Sequence, residues 1–238
     1  MLYIIGLGLN ADGISKYGLA IAQKCKKIYL ENYTVDFPYS REELEHVIGK
    51  KIISADREFV ESLSVVDESK KMDIAFLVYG SPLTATTHIS LIQEAKKSKV
   101  KYKIIYNASI LDAVAETGLQ IYKFGKTASM PKWDEEKNFK ADSFMEIVQE
   151  NQSINAHSLI LIDIGLEFKK AIDMLEKVAK EKDVGVDKIV VCSRLGTRDK
   201  KIIYGKIERI KGEEIKAPFC FIIPGKLHFL EKEILEEF

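Results

Sequence analysis

Two short stretches hold residues whose types and spacing could do chemistry. GLGLNADG, residues 6–13, places Gly6, Gly8 and Ala11 in a G-x-G-x-x-A pattern, with Glu31 near the end of the next apolar run. In a dinucleotide site such glycines let the backbone approach a pyrophosphate while the acid holds a ribose. Here, however, Gly13 and the capping-type DGIS delay the helix to about Ser15, whereas a pyrophosphate site opens its helix inside the motif. The second stretch, YGSPLTATTH at 79–88, follows a buried apolar run. Gly80 permits a left-handed turn, Pro82 fixes the backbone, and Thr84, Thr86 and Thr87 set hydroxyls near the start of the following helix. Backbone amides, carbonyls and small hydroxyls suit holding a ligand closely more than moving protons. Each stretch also has a plain structural reading: a glycine turn leaving a strand, and a capped helix start.

His88 beside Ser81 or a threonine could be read as a hydroxyl–imidazole pair, but no G-x-S-x-G elbow surrounds it. His46, His157 and His228 show no i, i+4 spacing, so no metal site is expected. Cys25, Cys192 and Cys220 form no C-x-x-C and lie among apolar neighbours, as in a reduced, cytoplasmic compartment.

These residues need elements to position them. Apolar runs at 2–7, 27–30, 51–54, 74–79 and 102–106 alternate with helical windows near 15–26, 40–48, 57–70 and 86–98. That alternation predicts a five-strand, largely parallel α/β unit with both faces of its sheet covered. After a short helix near 109–117, strands are expected at 121–129, 158–164, 188–194, 202–209 and 219–223, with long helices only near 142–150 and 168–182. Strands in succession with few helices predict a mixed sheet. The chain is therefore read as two α/β domains, 1–110 and 111–238.

The length of 238 residues allows either one extended domain or two small ones, and 46% hydrophobic with 30% charged residues is a globular composition. Lys+Arg 36 against Asp+Glu 36 gives a formal net charge of +0, which removes the general attraction to phosphate that a nucleic-acid binder relies on. The apolar start MLYIIGLGLN is too short to span a bilayer and lacks a basic flank, so neither export nor membrane insertion is expected.

Taken in order from residue 2 to about residue 231, YIIGLGL, LENYT, GSPLTATTH, NASILDAVAETGLQIYKFGK, LILIDIG, CSRLGT and IIPGKLHFLE resemble the diphthine synthase family of the tetrapyrrole methylase superfamily. The resemblance implies a tetrapyrrole methylase-like α/β fold with the cofactor cleft between two domains, a homodimer, and S-adenosyl-L-methionine as methyl donor, leaving S-adenosyl-L-homocysteine. It implies a protein substrate, translation elongation factor 2. In diphthamide biosynthesis the amino group of its 3-amino-3-carboxypropyl-histidine is methylated to diphthine. Matched by motif, the cofactor contacts would be Leu9, Ser81, Thr84, Ser109, Ile110 and Ile162, with Leu195 and Cys220 added from the second domain. The family usually has Gly-Asp-Pro where this chain has Gly80-Ser81-Pro82, and it commonly carries longer loops around 30–45 and 196–205.

The resemblance names no catalytic residue. Methyl transfer from a sulfonium is an in-line displacement that needs alignment more than a base, and water, Asp163, Glu116 or His88 could take the proton. Two alternatives stay open. A superfamily methyltransferase acting on a carboxylate-rich macrocycle would want a strongly basic cleft, to which the balanced charge lends little. A dinucleotide protein without methyl transfer would rest on Gly6, Gly8, Ala11 and Glu31. The charged run at 131–142, with the only tryptophan, Trp133, is either a solvated loop or a rim that docks the protein substrate.

Overall fold

The computed structural model describes every residue except Glu135, Lys137 and Asn138. The chain divides into two compact units, Met1–Leu111 and Asp112–Phe238.

The first unit runs β1 (Leu2–Gly6), α1 (Lys16–Lys24), β2 (Lys27–Glu31), α2 (Arg41–Ile48), β3 (Ile53–Ala55), α3 (Arg57–Glu61), α4 (Ser64–Ser69), β4 (Ile74–Val78), α5 (Ile89–Lys97) and β5 (Tyr102–Ile105). Its five strands lie in the order β3-β2-β4-β1-β5, all neighbours parallel. Alternation along the central strands feeds two cores. Ile4, Ile74 and Phe76 pack with Leu91 and Ile92 of α5, whereas Ile5, Ala75 and Leu77 pack with Ala22 of α1 and Leu44 and Ile48 of α2. The helices that follow β1 and β4 therefore cover opposite faces. That makes the gap between these adjacent strands the point where the winding reverses, the position at which open α/β sheets place ligands.

Local chemistry sets the boundaries. Ser15 caps α1 by accepting from Gly18 N–H at 3.0 Å, as DGIS suggested. Ser40 and Glu43 form a reciprocal capping box on α2. Two expectations change. The window at 57–70 is two helices because Leu63 adopts a left-handed φ of 63°, and the helix expected from residue 86 begins at Ile89 because the turn before it is longer.

After α6 (Ile110–Ala113), the second unit adds β6 (Ala128–Met130), α7 (Ser143–Ser153), β7 (Ser158–Ile162), α8 (Phe168–Glu181), β8 (Lys188–Ser193), β9 (Lys201–Lys206), α9 (Ile207–Ile210), β10 (Phe219–Ile223) and α10 (Phe229–Leu235). Its mixed sheet has the order β6-β7-β10-β8-β9, parallel only between β6 and β7. The strand expected over 121–129 is a 3-10 turn at Ile121–Lys123 followed by short β6, and the one expected to 209 ends at Lys206 where α9 starts. On α8, Ala171, Ile172, Leu175, Val178 and Ala179 recur at helical spacing and are buried with Ile160, Val191 and Phe221 of the sheet. Among the described residues, no helix is long and apolar enough to cross a membrane.

Candidate functional site

Three turns meet at the carboxyl ends of β4, β1 and β5. Leaving β1, Leu7 N–H still reaches Val78 O at 2.9 Å. Gly8 and Gly80 then exchange a pair of backbone bonds, Gly8 N–H to Gly80 O at 3.2 Å and Gly80 N–H to Gly8 O at 2.9 Å. Both glycines sit at left-handed φ, 72° and 67°. Gly6 is required for a different reason: a Cβ there would lie 2.6 Å from Gly80 O and 3.0 Å from both Pro82 Cδ and Asn107 Cβ.

Asn107, at the end of β5, reaches into the glycine turn. Its Nδ2 donates to Gly6 O at 3.0 Å and Gly13 O at 2.8 Å, and its Oδ1 accepts from Ala108 N–H at 2.9 Å. The turn thus directs carbonyls at Asn107 and has its interior filled by an amide, the reverse of a loop whose free N–H groups cradle a phosphate. Glu31 is not available for a ribose either. It is fully buried and accepts from Tyr33 N–H at 3.2 Å and Thr34 Oγ1 at 2.9 Å within its own turn. The G-x-G-x-x-A pattern is therefore a structural glycine turn, and the dinucleotide reading loses both its supports.

The sequence-predicted residues of this unit surround that junction. Leu9 is buried in the glycine turn, its carbonyl accepting from Tyr79 Oη at 3.3 Å. Ser81 and Thr84 lie on the second turn, closed by Thr84 N–H to Ser81 O at 3.2 Å. Ser109 packs beside Gly80 and caps the next segment through Leu111 N–H to its Oγ at 3.2 Å; Ile110 opens α6. Ala85 holds a left-handed φ of 53°, a strain of order 1 kcal/mol on the turn that carries Ser81 and Thr84.

His88 supports this turn from below. The Pro82 carbonyl, 3.1 Å from Nδ1, can only accept, so Nδ1 carries the proton and Nε2 is a buried lone pair without a partner among the described residues. The ring stands edge-on to Phe76, with centroids 5.3 Å apart. Burial pushes its pKa below the usual histidine value, the Pro82 carbonyl opposing, so the ring is neutral at neutral pH. It is a brace, sealed from solvent, rather than a base for a hydroxyl nucleophile. The hydroxyl of Thr86 bonds Pro82 O at 3.4 Å, and the Thr87 carbonyl accepts from Ser90 Oγ at 3.0 Å at the start of α5.

In the second unit, Ile162, Leu195 and Cys220 lie toward the same end of the three central strands β7, β10 and β8. Cys220 pairs with Leu161 of β7 and Cys192 of β8, which puts the start of β10 beside the carboxyl ends of both strands. Leu195 follows Arg194, whose left-handed φ of 50° is held by Arg194 N–H to Pro218 O and Nε–H to Ala217 O, both 2.8 Å. The Cys192 thiol is pushed well above its usual pKa by a hydrogen bond with the free thiol of Cys220 and by burial. Among the described residues, no cluster of three or more His, Cys, Asp or Glu could hold a metal.

The model of the tetrapyrrole (corrin/porphyrin) methylases matches residues 1–211. The chain is 38% identical to a diphthine synthase of Methanocaldococcus jannaschii, over 99% of this chain and 98% of that protein. It is 35% identical to a diphthine methyl ester synthase of Bos taurus, over 100% and 95%. The chain belongs to the diphthine synthase family of tetrapyrrole methylases. A solved diphthine synthase structure, 30% identical, superimposes with a TM-score of 0.89 over 100% of this chain and 95% of that one.

Within this family frame, the acids that could take a proton are engaged locally. Asp163 accepts from Lys132 N–H at 3.1 Å and Ile164 N–H at 3.0 Å, while Glu116 is ion-paired with Lys200. Two of the motifs that carried the resemblance, GLQIYKFGK and PGKLHFLE, have a structural task. Buried Glu231 accepts from Gln120 N–H at 3.0 Å, His157 Nε2 at 3.1 Å, His228 N–H at 2.7 Å and Lys123 Nζ, tying the two motifs together. The residues that sequence reasoning left without a role, Asn107 and Glu231, both lie inside the quoted motifs.

Of the charged run at 131–142, Glu135, Lys137 and Asn138 lie outside the described residues. Trp133 is half-buried: it packs against the core of the second unit, donates Nε1–H to Ala141 O at 3.0 Å and carries the Lys177 ammonium 5.3 Å above its ring. Trp133→Ala is accordingly expected to cost about 2 kcal/mol of stability, read as a lowered thermal midpoint. An unchanged midpoint with weakened methylation of the protein substrate would assign the docking role to this residue.

Proposed function

We propose that this protein uses S-adenosylmethionine to methylate the amino group of the 3-amino-3-carboxypropyl-histidine of elongation factor 2, giving diphthine in diphthamide biosynthesis. The names of its relatives support the reaction class. The observation on this chain that carries the cofactor reading is the glycine turn filled by Asn107: it faces its carbonyls inward and offers no phosphate cradle, which fits a cofactor without phosphates.

Bound there, S-adenosylmethionine would supply a methyl already activated on sulfur. Leu9, Ser81, Thr84, Ser109 and Ile110 would hold it from the first unit, and Ile162, Leu195 and Cys220 are the contacts proposed from the second. Ser81 would offer a hydroxyl where the family usually has a carboxylate. Rigid turns and small side chains suffice because holding reactants at near-attack distance can supply on the order of 7–11 kcal/mol of the barrier. His88 is sealed from solvent, so the amine's proton would pass to water or to a carboxylate such as Asp163 or Glu116. The reading carries a homodimer and a cytoplasmic site of action. A monomer mass in light scattering at micromolar protein would contradict the former.

The test is calorimetric titration with S-adenosylhomocysteine beside NADH, followed by mass spectrometry of modified elongation factor 2 after turnover. Binding of S-adenosylhomocysteine alone, with alkali-stable methyl groups added, is the expected result. Alkali-labile methylation would assign an ester product instead. NADH binding alone would overturn the reading, and methylation of a tetrapyrrole precursor but not of the protein would favour the macrocycle alternative.

A further inference from the structure

We infer that Asn107 is a positioning residue for the cofactor, acting through the Gly6–Gly13 turn without touching the ligand itself. The inference rests on the methyltransferase reading above. One side chain joins three pieces of backbone: Gly6, where β1 ends, Gly13, where the turn closes, and Ala108, which leads into Ser109 and Ile110. Leu9 lies between the first two. The proposed contacts on two separate turns are thereby held in one piece, across sequence separations of 101 and 94 residues.

An amide meets this geometry and its near-isosteres do not. Two N–H donors converge on two carbonyls while the oxygen takes a backbone N–H, so the group uses both ends at once. An ionised aspartate would present oxygen to Gly6 O and Gly13 O, and alanine would leave both carbonyls without this donor. The fit is close as well: a Cβ on Gly8 would stand 3.2 Å from Asn107 Oδ1, so the amide occupies the hollow of the turn. Once the amide is gone the turn is no longer preorganised, and a cofactor that binds must order it at the expense of its own affinity.

The experiment compares wild type, Asn107→Ala, Asn107→Asp and Ile48→Val. The last trims a fully buried side chain at the carboxyl end of α2, a residue of none of the three turns. Calorimetry with S-adenosylhomocysteine and thermal melts are run on all four, with steady-state methylation at varied S-adenosylmethionine. Affinity is expected to fall about tenfold in Asn107→Ala and further in Asn107→Asp. The loss should appear in KM for the cofactor, with kcat at saturation nearly unchanged. Ile48→Val should lower the melt and leave affinity intact. Affinity of Asn107→Ala within twofold of wild type, or an equal loss in Ile48→Val, would overturn the positioning role. If Asn107→Ala does not fold, Asn107→Ser, which keeps one donor, makes the same comparison. Failure of wild type itself to bind would instead remove the methyltransferase reading, and this inference with it.

Discussion

Gly6→Ala should abolish S-adenosylhomocysteine binding in calorimetry. The added methyl would meet Gly80 O at 2.6 Å, and that oxygen is backbone, already accepting from Gly8 N–H at 3.2 Å. The other neighbours, Pro82 Cδ and Asn107 Cβ at 3.0 Å, belong to a fixed ring and to the first atom of a pinned side chain. No flexible end can swing away, so relief requires separating the turns after β1, β4 and β5, the same turns that carry the proposed contacts. Overpacking of this kind costs about 1–3 kcal/mol of stability, but its displacement falls on the binding geometry and the loss of affinity should exceed that figure. Gly49→Ala is the control. Its φ of 74° is also left-handed, yet none of the described residues lies within 4 Å of the new Cβ, so it should lower stability by about 1 kcal/mol and leave affinity alone. Wild-type affinity in Gly6→Ala would show that the junction of turns is not the cofactor site.

The second large effect is on stability. Glu231→Gln should cost about 3–5 kcal/mol, seen as a thermal midpoint lower by on the order of 10 °C. The carboxylate receives four donors and needs none of its own, whereas a glutamine amide turns N–H groups toward the Lys123 ammonium or a backbone N–H. The pH dependence gives the sharper readout. Burial alone would raise the Glu231 pKa, but the His228 amide, Lys123, the Gln120 amide and His157 bring it down to about 2. Because the folded pKa is depressed, the unfolded chain binds the proton more readily. The stabilisation is complete above the unfolded value of 4.5 and is lost as pH falls from there toward about 2, a change of about 3 kcal/mol. His157 acts in the same direction at higher pH. Burial lowers its pKa from 6.5 despite the bond to Glu231, so it too removes stability as pH falls below 6.5. Denaturant melts should therefore show wild type losing stability throughout acidification, with Glu231→Gln markedly flatter between pH 4.5 and 2. Parallel curves in that range would mean that Glu231 carries no such charge.

Both predictions concern residues whose weight was only partly visible in the linear chain. Gly6 stood out as a glycine at a strand end, and the sequence favoured a structural or ligand turn over a pyrophosphate loop because DGIS postponed the helix. Ser15 does cap α1. What could not be seen was that Asn107 fills the turn, since a side-chain amide 94 residues from Gly13 leaves no periodic or spacing signal. The break at Leu63 was hidden for a related reason: leucine is a good helix former, and nothing in its type announces a left-handed φ. For His88 the sequence allowed a hydroxyl–imidazole pair but lacked the elbow motif to favour one, and the residue is a brace. Burial and the Pro82 carbonyl decided its tautomer, and neither is written in the residue's neighbours along the chain.

By itself, the sequence determined the alternation of buried strands with amphipathic helices, the mixed character of the second sheet, the turns at glycines and caps, and the motifs that mark the family. These follow from backbone freedom and hydrophobic periodicity, which act over a few residues. Only the tertiary structure decided which turns meet, which donors find which carbonyls and which acids are already engaged. Those outcomes depend on strand order and register, which bring residues a hundred positions apart within 3 Å of one another.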